Sequence, residues 1–434
     1  MGRMTGGAVY LDNAATTRPV PEAVEAVRRA MEEGYGNPSS RHRLGLEAAS
    51  VVDSARERVA AAVGARAGDI VFTGGGSEAN NLALKGAAWA YARAGRHVVV
   101  SAVEHPSVLE AVRWLEDGMG LEVDLVPVER DGRVRAETVL GAVREDTLLV
   151  SLMHVNNEVG AVQPVAEVGL GLAARRPASG RRKGLPLFHV DAVQSLGRLT
   201  VDVEAWKADL VSVSAHKAHG PKGVGALYVR PGVRLVPLVH GGGHEAGRRS
   251  GTENVPGIAG FGAALAALAA AGTEEAAERM MGLRRLLIRL VREGWPAVVV
   301  NGPEDPGAAA PHIVSLSFPG VPGEVLQHHL EESSVYVSTG SACSSHHRGR
   351  PSHVLEAMGC PPEVAGSAIR VSLSRFTTAE EIEQAARAMV EAVGRLAGKG
   401  RGPGGARRAR AVRRKAGRTG VGGSGAVGDG GGGR

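Results

Sequence analysis

Residues 69–78 read DIVFTGGGSE. A short apolar run rich in Val, Ile and Phe gives way to three glycines, a hydroxyl and an acid, and a helical pattern follows at once. That is a strand, a tight loop and a helix start. Working outward, similar runs recur as HVVVS (97–101), TLLVSLM (147–153), LPLFHV (185–190), DLVSVS (209–214) and ALYVR (226–230). Between them lie stretches with apolar residues at helical spacing, such as Val20, Val24, Val27 and Met31, and Val108, Val112 and Leu115. Near-continuous apolar strands separated by helices predict an α/β fold whose large, mostly parallel sheet is covered on both faces. On such sheets ligands bind beyond the carboxyl ends of the strands.

After residue 260 the pattern changes. A long Ala/Leu helix (FGAALAALAAA, continuing to Glu293) leads to strands near IVSLSF and VYVST, and a final helix spans Thr378 to Leu396. The expected organisation is a large α/β domain over 1–260 and a smaller α+β domain over 261–397. The first 15 or so residues are expected to pack with the smaller domain. A Gly/Arg-rich tail over 398–434 has no aromatic residue and too little apolar area to offset its ordering entropy, so it is expected to be disordered. No internal repeat is visible.

With 434 residues, 43% of them apolar and 22% charged, the composition is that of a globular protein. No run of 18 apolar residues occurs and the start lacks the layout of a secretory signal, so a soluble, cytoplasmic protein is expected. The formal charge of +6 belongs to the tail: Lys399 to Arg434 hold ten Lys/Arg against one Asp, and residues 1–398 hold 41 against 44 acidic residues. A nucleic-acid surface on the folded body is therefore not expected. Two cysteines, Cys343 and Cys360, cannot form a disulfide framework or a Cys-rich cluster site. His240, His244 and Glu245 flank a glycine triplet, but no further convergent ligand is evident, so no metal is expected.

Three strand-end segments carry chemistry. In Thr73–Glu78 the glycines, Ser77 and a helix N-terminus suit a phosphate, with a spacing that fits neither a nucleoside triphosphate nor a dinucleotide loop. In FHVDAVQ (188–194), Asp191 could hold a protonated ring nitrogen and Gln194 could donate to a ring oxygen; a helix-capping Asp is the alternative reading. In SVSAHKAHGPKG (212–223), Lys217 stands at a strand end among hydroxyls, histidines and glycines, placed to be nucleophilic toward an aldehyde.

Together with these, DNAATT (12–17), GNPSS (36–40), TGGGSEANN (73–81), VEH (103–105), HVNNEVG (154–160), HVDAVQS (189–195), SAHKAHGPKGVGALYVR (214–230), GGGHEAGRRSGTEN (241–254), STGSAC (338–343) and IRVSLSRFT (369–377) occur in order over about residues 8–395. In this the chain resembles the cysteine desulfurases, which are pyridoxal-phosphate enzymes with the aspartate-aminotransferase-like fold. The resemblance implies pyridoxal 5′-phosphate as cofactor, with Lys217 forming the Schiff base, Asp191 pairing with the pyridine nitrogen, Gln194 serving the ring hydroxyl and His105 stacked on the ring. It implies a phosphate held by Gly76, Ser77, Ser214 and His216, with Thr252 reaching across from the second subunit of a homodimer. It also implies that Asn157 and Arg370 orient the substrate and clamp its carboxylate, and that Cys343 is the nucleophile.

The implied reaction converts L-cysteine to L-alanine, leaving sulfur as a persulfide on Cys343 for a sulfur-acceptor protein such as a cluster scaffold. The polar, His- and Arg-bearing surroundings of Cys343 favour its thiolate, whereas Cys360 reads as structural. The segment after Cys343, SSHHRGRP, departs from the Ser-Leu-Glu-Pro common in desulfurases. It resembles selenocysteine lyases, as do the Gly-Leu-Pro after a basic insert at 181–186 and GTENVPGIAG, so a lyase acting on L-selenocysteine is an alternative. An aminotransferase of the same fold, with Cys343 incidental, is a second.

Overall fold

The computed structural model describes residues 7–177, 180, 183–340 and 352–399. Along the chain, strand β1 (Val9–Tyr10) is followed by helices α1 (Pro21–Glu32) and α2 (Arg43–Val63), then β2 (Ile70–Thr73), α3 (Gly76–Tyr91), β3 (His97–Ser101), α4 (Pro106–Met119) and β4 (Glu122–Val126). Next come α5 (Ala136–Gly141), β5 (Thr147–Met153), α6 (Val165–Arg175), β6 (Leu187–Asp191), β7 (Leu210–Ser214), β8 (Gly225–Val229), α7 (Val255–Ala270) and α8 (Thr273–Gly294). The last part holds β9 (Val299–Asn301), β10 (Ile313–Ser317), α9 (Gly323–Glu332), β11 (Val335–Tyr336), α10 (His353–Ala357), α11 (Pro362–Ala365), β12 (Ala368–Ser372) and α12 (Ala379–Lys399).

The large sheet has the order β2-β8-β7-β6-β5-β3-β4. From β4 to β7 every pairing is parallel, while β8 runs antiparallel to both β7 and β2. The ALYVR run is thus a reversed strand within an otherwise parallel sheet, which its composition did not distinguish. Strands β2, β3, β5, β6, β7 and β8 are buried along their whole length because helices cover both faces. The edge strand β4 was not legible as an apolar run, since Glu122, Asp124 and Leu125 face solvent and only Val126 is buried.

The expected long helix after 260 is two helices, α7 and α8, bent by 78°. The break falls at Gly272, whose φ of +69° favours glycine and where a Cβ would meet the Glu275 carboxylate at 2.2 Å. The bend separates two jobs. Helix α7 buries Ile258, Phe261, Leu265 and Leu268 in the large core, so that core runs past residue 260. Helix α8 turns Leu283, Leu287 and Val291 into the second core, built on the antiparallel sheet β12-β10-β9 and helix α12. Strand β1 pairs in parallel with β11 and brings Val9 and Leu11 into that second core. Among the described residues no single helix is long and apolar enough to cross a membrane.

This arrangement fixes the site. Because β8 reverses between β7 and β2, the carboxyl ends of β2, β3, β5, β6 and β7 all open on one edge of the sheet. The segment after β1 crosses that edge, and β12 is tied to that segment by the bridge Asp12–Ser372.

Candidate active site

Each expected side chain is delivered by a local device. Helix α3 starts at Gly76, directly after β2, so its first turn presents Gly76 and Ser77 with unpaired N–H groups. A Cβ on Gly76 would lie 2.7 Å from Val193 Cγ2, so only glycine lets this turn approach the β6 loop. His105 caps α4: its Nδ1 accepts from the Ser107 N–H at 3.1 Å, and Pro106 follows where a missing N–H costs nothing. Asp191 ends β6, and Ser214, His216 and Lys217 follow one another off β7. Arg370 lies in the middle of β12.

These residues surround one cavity of ≈270 Å³, close to the ~300 Å³ lower end of small-molecule sites. Gly76, Ser77, His105, Asn157, Asp191, Gln194, Ser214, His216, Lys217 and Arg370 all line it. Lys217 Nζ donates to the Ala14 and Ala15 carbonyls, both at 2.6 Å. Asp191 Oδ2 accepts from Asn80 Nδ2 at 2.8 Å and Oδ1 from the Val193 N–H at 3.0 Å. Gln194 Nε2 donates to Ala14 O at 2.9 Å. Arg370 donates from Nη1 to Asn157 O and from Nη2 to Asp12 Oδ1, each at 2.9 Å.

Charge is graded around this cavity. Burial, reinforced by Lys217 and His353, holds the His105 imidazole below its ordinary range against the opposing pull of Asp191. Burial and the cations Lys217, Lys222 and Arg198 bring His216 down to about 4. Both rings are therefore neutral near pH 7. Gln194, Ser214, Arg370 and Asn80 each also carry a buried polar atom without a partner among the described residues: Oε1, Oγ, Nε and Oδ1. A buried polar atom left unpaired costs ~1–3 kcal/mol, so this cluster is built for a polar guest.

The structure does not bring Thr252 to this cavity. It lines a separate cleft with Phe72, Thr73 and Gly223 of its own chain. Cys343 lies outside the described residues. Glu245, considered as a metal ligand, is held by Arg56 at 2.7 and 2.8 Å and by the Phe72 N–H at 2.8 Å. Cys360 packs against the cluster containing Val103 and Met153, and burial pushes its thiol up.

Sequence reasoning gave no role to Asn80, Ser107 or Asp12, or to the carbonyls of Ala14 and Ala15. Asn80 sits one helical turn after Gly76, which a strand-end search passes over. The carbonyls carry no side-chain signal at all.

A family model for class-V aminotransferases matches residues 9–385. The chain belongs to the class-V aminotransferase family. Within this family it stands with the cysteine desulfurases: it is 44% identical over 375 residues to the cysteine desulfurase IscS of Dictyoglomus turgidum, covering 86% of this chain and 91% of that protein. Among solved structures, a NifS-like protein aligns with a TM-score of 0.80 at 38% identity, covering 88% of this chain and 98% of its own. SspA, solved in complex with cysteine, aligns at 0.73 and 32% identity over 85% and 99%. The large mostly parallel sheet followed by a smaller α+β unit is the architecture that this class-V aminotransferase shares with them.

Proposed function

We propose that this cysteine desulfurase binds pyridoxal 5′-phosphate in the ≈270 Å³ cavity and converts L-cysteine to L-alanine, passing the sulfur to Cys343. The observation that carries the reading is the convergence of Lys217, Asp191, His105, Gln194 and Arg370 on a single cavity ringed by buried polar atoms that have no partner among the described residues. Those residues fit the cofactor. Lys217 would hold its aldehyde, Asp191 its ring nitrogen, and Gln194, whose second amide hydrogen is not needed by Ala14, its ring hydroxyl. The first turn of α3 with Ser77, Ser214 and His216 would hold its phosphate. When bound, pyridoxal phosphate supplies an electron sink that weakens the bonds at the substrate α-carbon.

The chain's own residues do the rest. Arg370 takes the substrate carboxylate on its guanidinium fork, with Asn157 beside it. Lys217 Nζ moves the α-proton. The Cys343 thiolate attacks the substrate sulfur; the carbon–sulfur bond breaks as the sulfur–sulfur bond forms, and the carbon fragment takes up a proton and leaves as alanine. One cysteine and one enzyme thiol thus give one alanine and one enzyme persulfide, which a sulfur-acceptor protein consumes.

The protein acts as a homodimer in this reading. Val24, Met31 and Tyr35 expose apolar side chains that a second copy would cover, and Thr252, set apart from its own cavity, would serve the partner's phosphate. Light scattering that shows only monomers at full activity overturns this part.

The test supplies L-cysteine and L-selenocysteine separately and quantifies alanine and released chalcogen, with and without Cys343→Ala. Alanine from cysteine that disappears in the variant supports the reading. Equal alanine from both substrates without Cys343 overturns the persulfide step and leaves the lyase; turnover only with an added amino acceptor leaves an aminotransferase.

A further inference from the structure

Asn80 is 1% exposed and its single amide nitrogen has two partners: Nδ2 lies 2.8 Å from Asp191 Oδ2 and 2.9 Å from Ser107 Oγ. Ser107 Oγ lies in turn 2.8 Å from His105 Nδ1. Hydrogen-bond bookkeeping gives this chain of contacts a direction. An ionised carboxylate only accepts, so the amide face toward Asp191 is the NH2 group. Its second hydrogen then points to Ser107 Oγ, which accepts. The Ser107 hydroxyl has its own proton left to give, and His105 Nδ1 is its partner. The Ser107 backbone N–H donates to the same nitrogen at 3.1 Å. Nδ1 is therefore an acceptor twice over, and a neutral imidazole with Nδ1 accepting carries its proton on Nε2.

We propose that Asn80 is a positioning residue of this site. Through the Ser107 hydroxyl, and together with the Ser107 backbone N–H, it holds His105 in the Nε2–H tautomer, so that the ring edge left to the cavity is a proton donor. It does so while bonded to the carboxylate assigned to the cofactor ring nitrogen. His105 then serves the reaction as an acid and hydrogen-bond donor in its neutral form, and the proton abstracted from the substrate goes to Lys217. Asn80, Ser107, His105 and Asp191 all line the cavity, on α3, at the start of α4 and at the end of β6, so the relay ties three elements of the sheet edge together.

The inference rests on reading the cavity as the desulfurase site, and its test is independent of turnover. The full chain is labelled with 15N-histidine and its ring nitrogens are recorded by two-bond 15N–1H correlation, His105 being assigned from its absence in His105→Gln. The wild-type ring is expected to show Nε2–H. In Asn80→Asp a carboxylate replaces the donor and accepts the Ser107 proton, so His105 is expected to shift toward Nδ1–H or the doubly protonated ring. Asn80→Ala, which adds no charge, is expected to move it the same way by less. A wild-type ring protonated on Nδ1 overturns the proposal, as does a His105 spectrum unchanged in both variants.

In turnover, Asn80→Ala is expected to lower kcat on the order of 10- to 100-fold with little change in KM for L-cysteine, because the carboxylate clamp is untouched. An equal loss confined to KM overturns the positioning role. Should the wild-type chain make no alanine, the desulfurase reading fails while the tautomer result stands; should it turn over with His105 on Nδ1, only the present inference fails.

Discussion

Arg370 and Asp12, 358 positions apart in sequence, are joined by an Nη2–Oδ1 contact of 2.9 Å. The guanidinium is 3% exposed at the side chain and its other terminal nitrogen is taken by Asn157 O, so this pair decides which way the fork faces. Asp12 arrives with the segment that crosses the sheet edge, whereas Arg370 belongs to the small antiparallel sheet. The clamp for the substrate carboxylate is thus assembled between two cores.

Asp12→Asn keeps the shape of the side chain and removes its charge. Hydrogen bonds to charged groups are worth ~1.5–3 kcal/mol. The KM for L-cysteine should rise about tenfold with a much smaller change in kcat, since ground-state and transition-state carboxylates use the same fork. Steady-state kinetics with the variant check it; an unchanged KM would show that Asp12 does not orient Arg370.

Glu104 is wholly buried beside His105. Its Oε1 accepts from Ser101 Oγ at 2.6 Å and the Met153 N–H at 2.8 Å, and burial raises its pKa from 4.5 to about 8. The folded state thus binds a proton that the unfolded chain releases. This contribution to stability is complete below pH 4.5 and is lost as pH climbs to about 8, at roughly 1.4 kcal/mol per unit. Glu104→Gln retains the acceptor oxygen and cannot ionise. Its stability relative to wild type should increase from pH 5 to pH 8 and then level off. Denaturant midpoints of both proteins at pH 5, 6.5, 8 and 9 test this, and parallel profiles would refute it.

Helix α6 approaches the chain after β6 so closely that a Cβ on Gly169 would lie 1.8 Å from the Trp206 carbonyl oxygen and 3.2 Å from the Phe188 ring. Backbone cannot yield as a flexible side chain can. Gly169→Ala should destabilise the protein by about 1–3 kcal/mol, despite the better helix propensity of alanine. Thermal unfolding would reveal it as a lowered Tm.

At Gly76 the obstruction is a side chain, Val193 Cγ2 at 2.7 Å, with Ser214 Cβ at 3.4 Å. Because valine is stiff at χ1, Gly76→Ala should lower the Tm modestly, and it should weaken pyridoxal phosphate binding about tenfold, or ~1.4 kcal/mol. Absorbance titration of the cofactor-free protein measures this. Undiminished affinity would place the phosphate elsewhere.

Sequence alone settled a good deal of this protein. Five of the six apolar runs became strands running in the expected direction, and Lys217, Asp191 and Gln194 could be placed at strand ends, because burial on both faces of a sheet writes itself as composition and strand-end chemistry as side-chain type; His105 was legible only through the family resemblance. The reversal of β8, the exposed strand β4 and the bend at Gly272 depended on which neighbour each segment packs against, and pairing partners leave no local trace. The same holds for the site's supporting contacts. Asn80 reaches Asp191, Asp12 reaches Arg370, and the Ala14 and Ala15 carbonyls reach Lys217 only because three distant segments meet at one sheet edge; hydrogen bonds form between atoms brought within about 3 Å, and that proximity is a property of the folded chain.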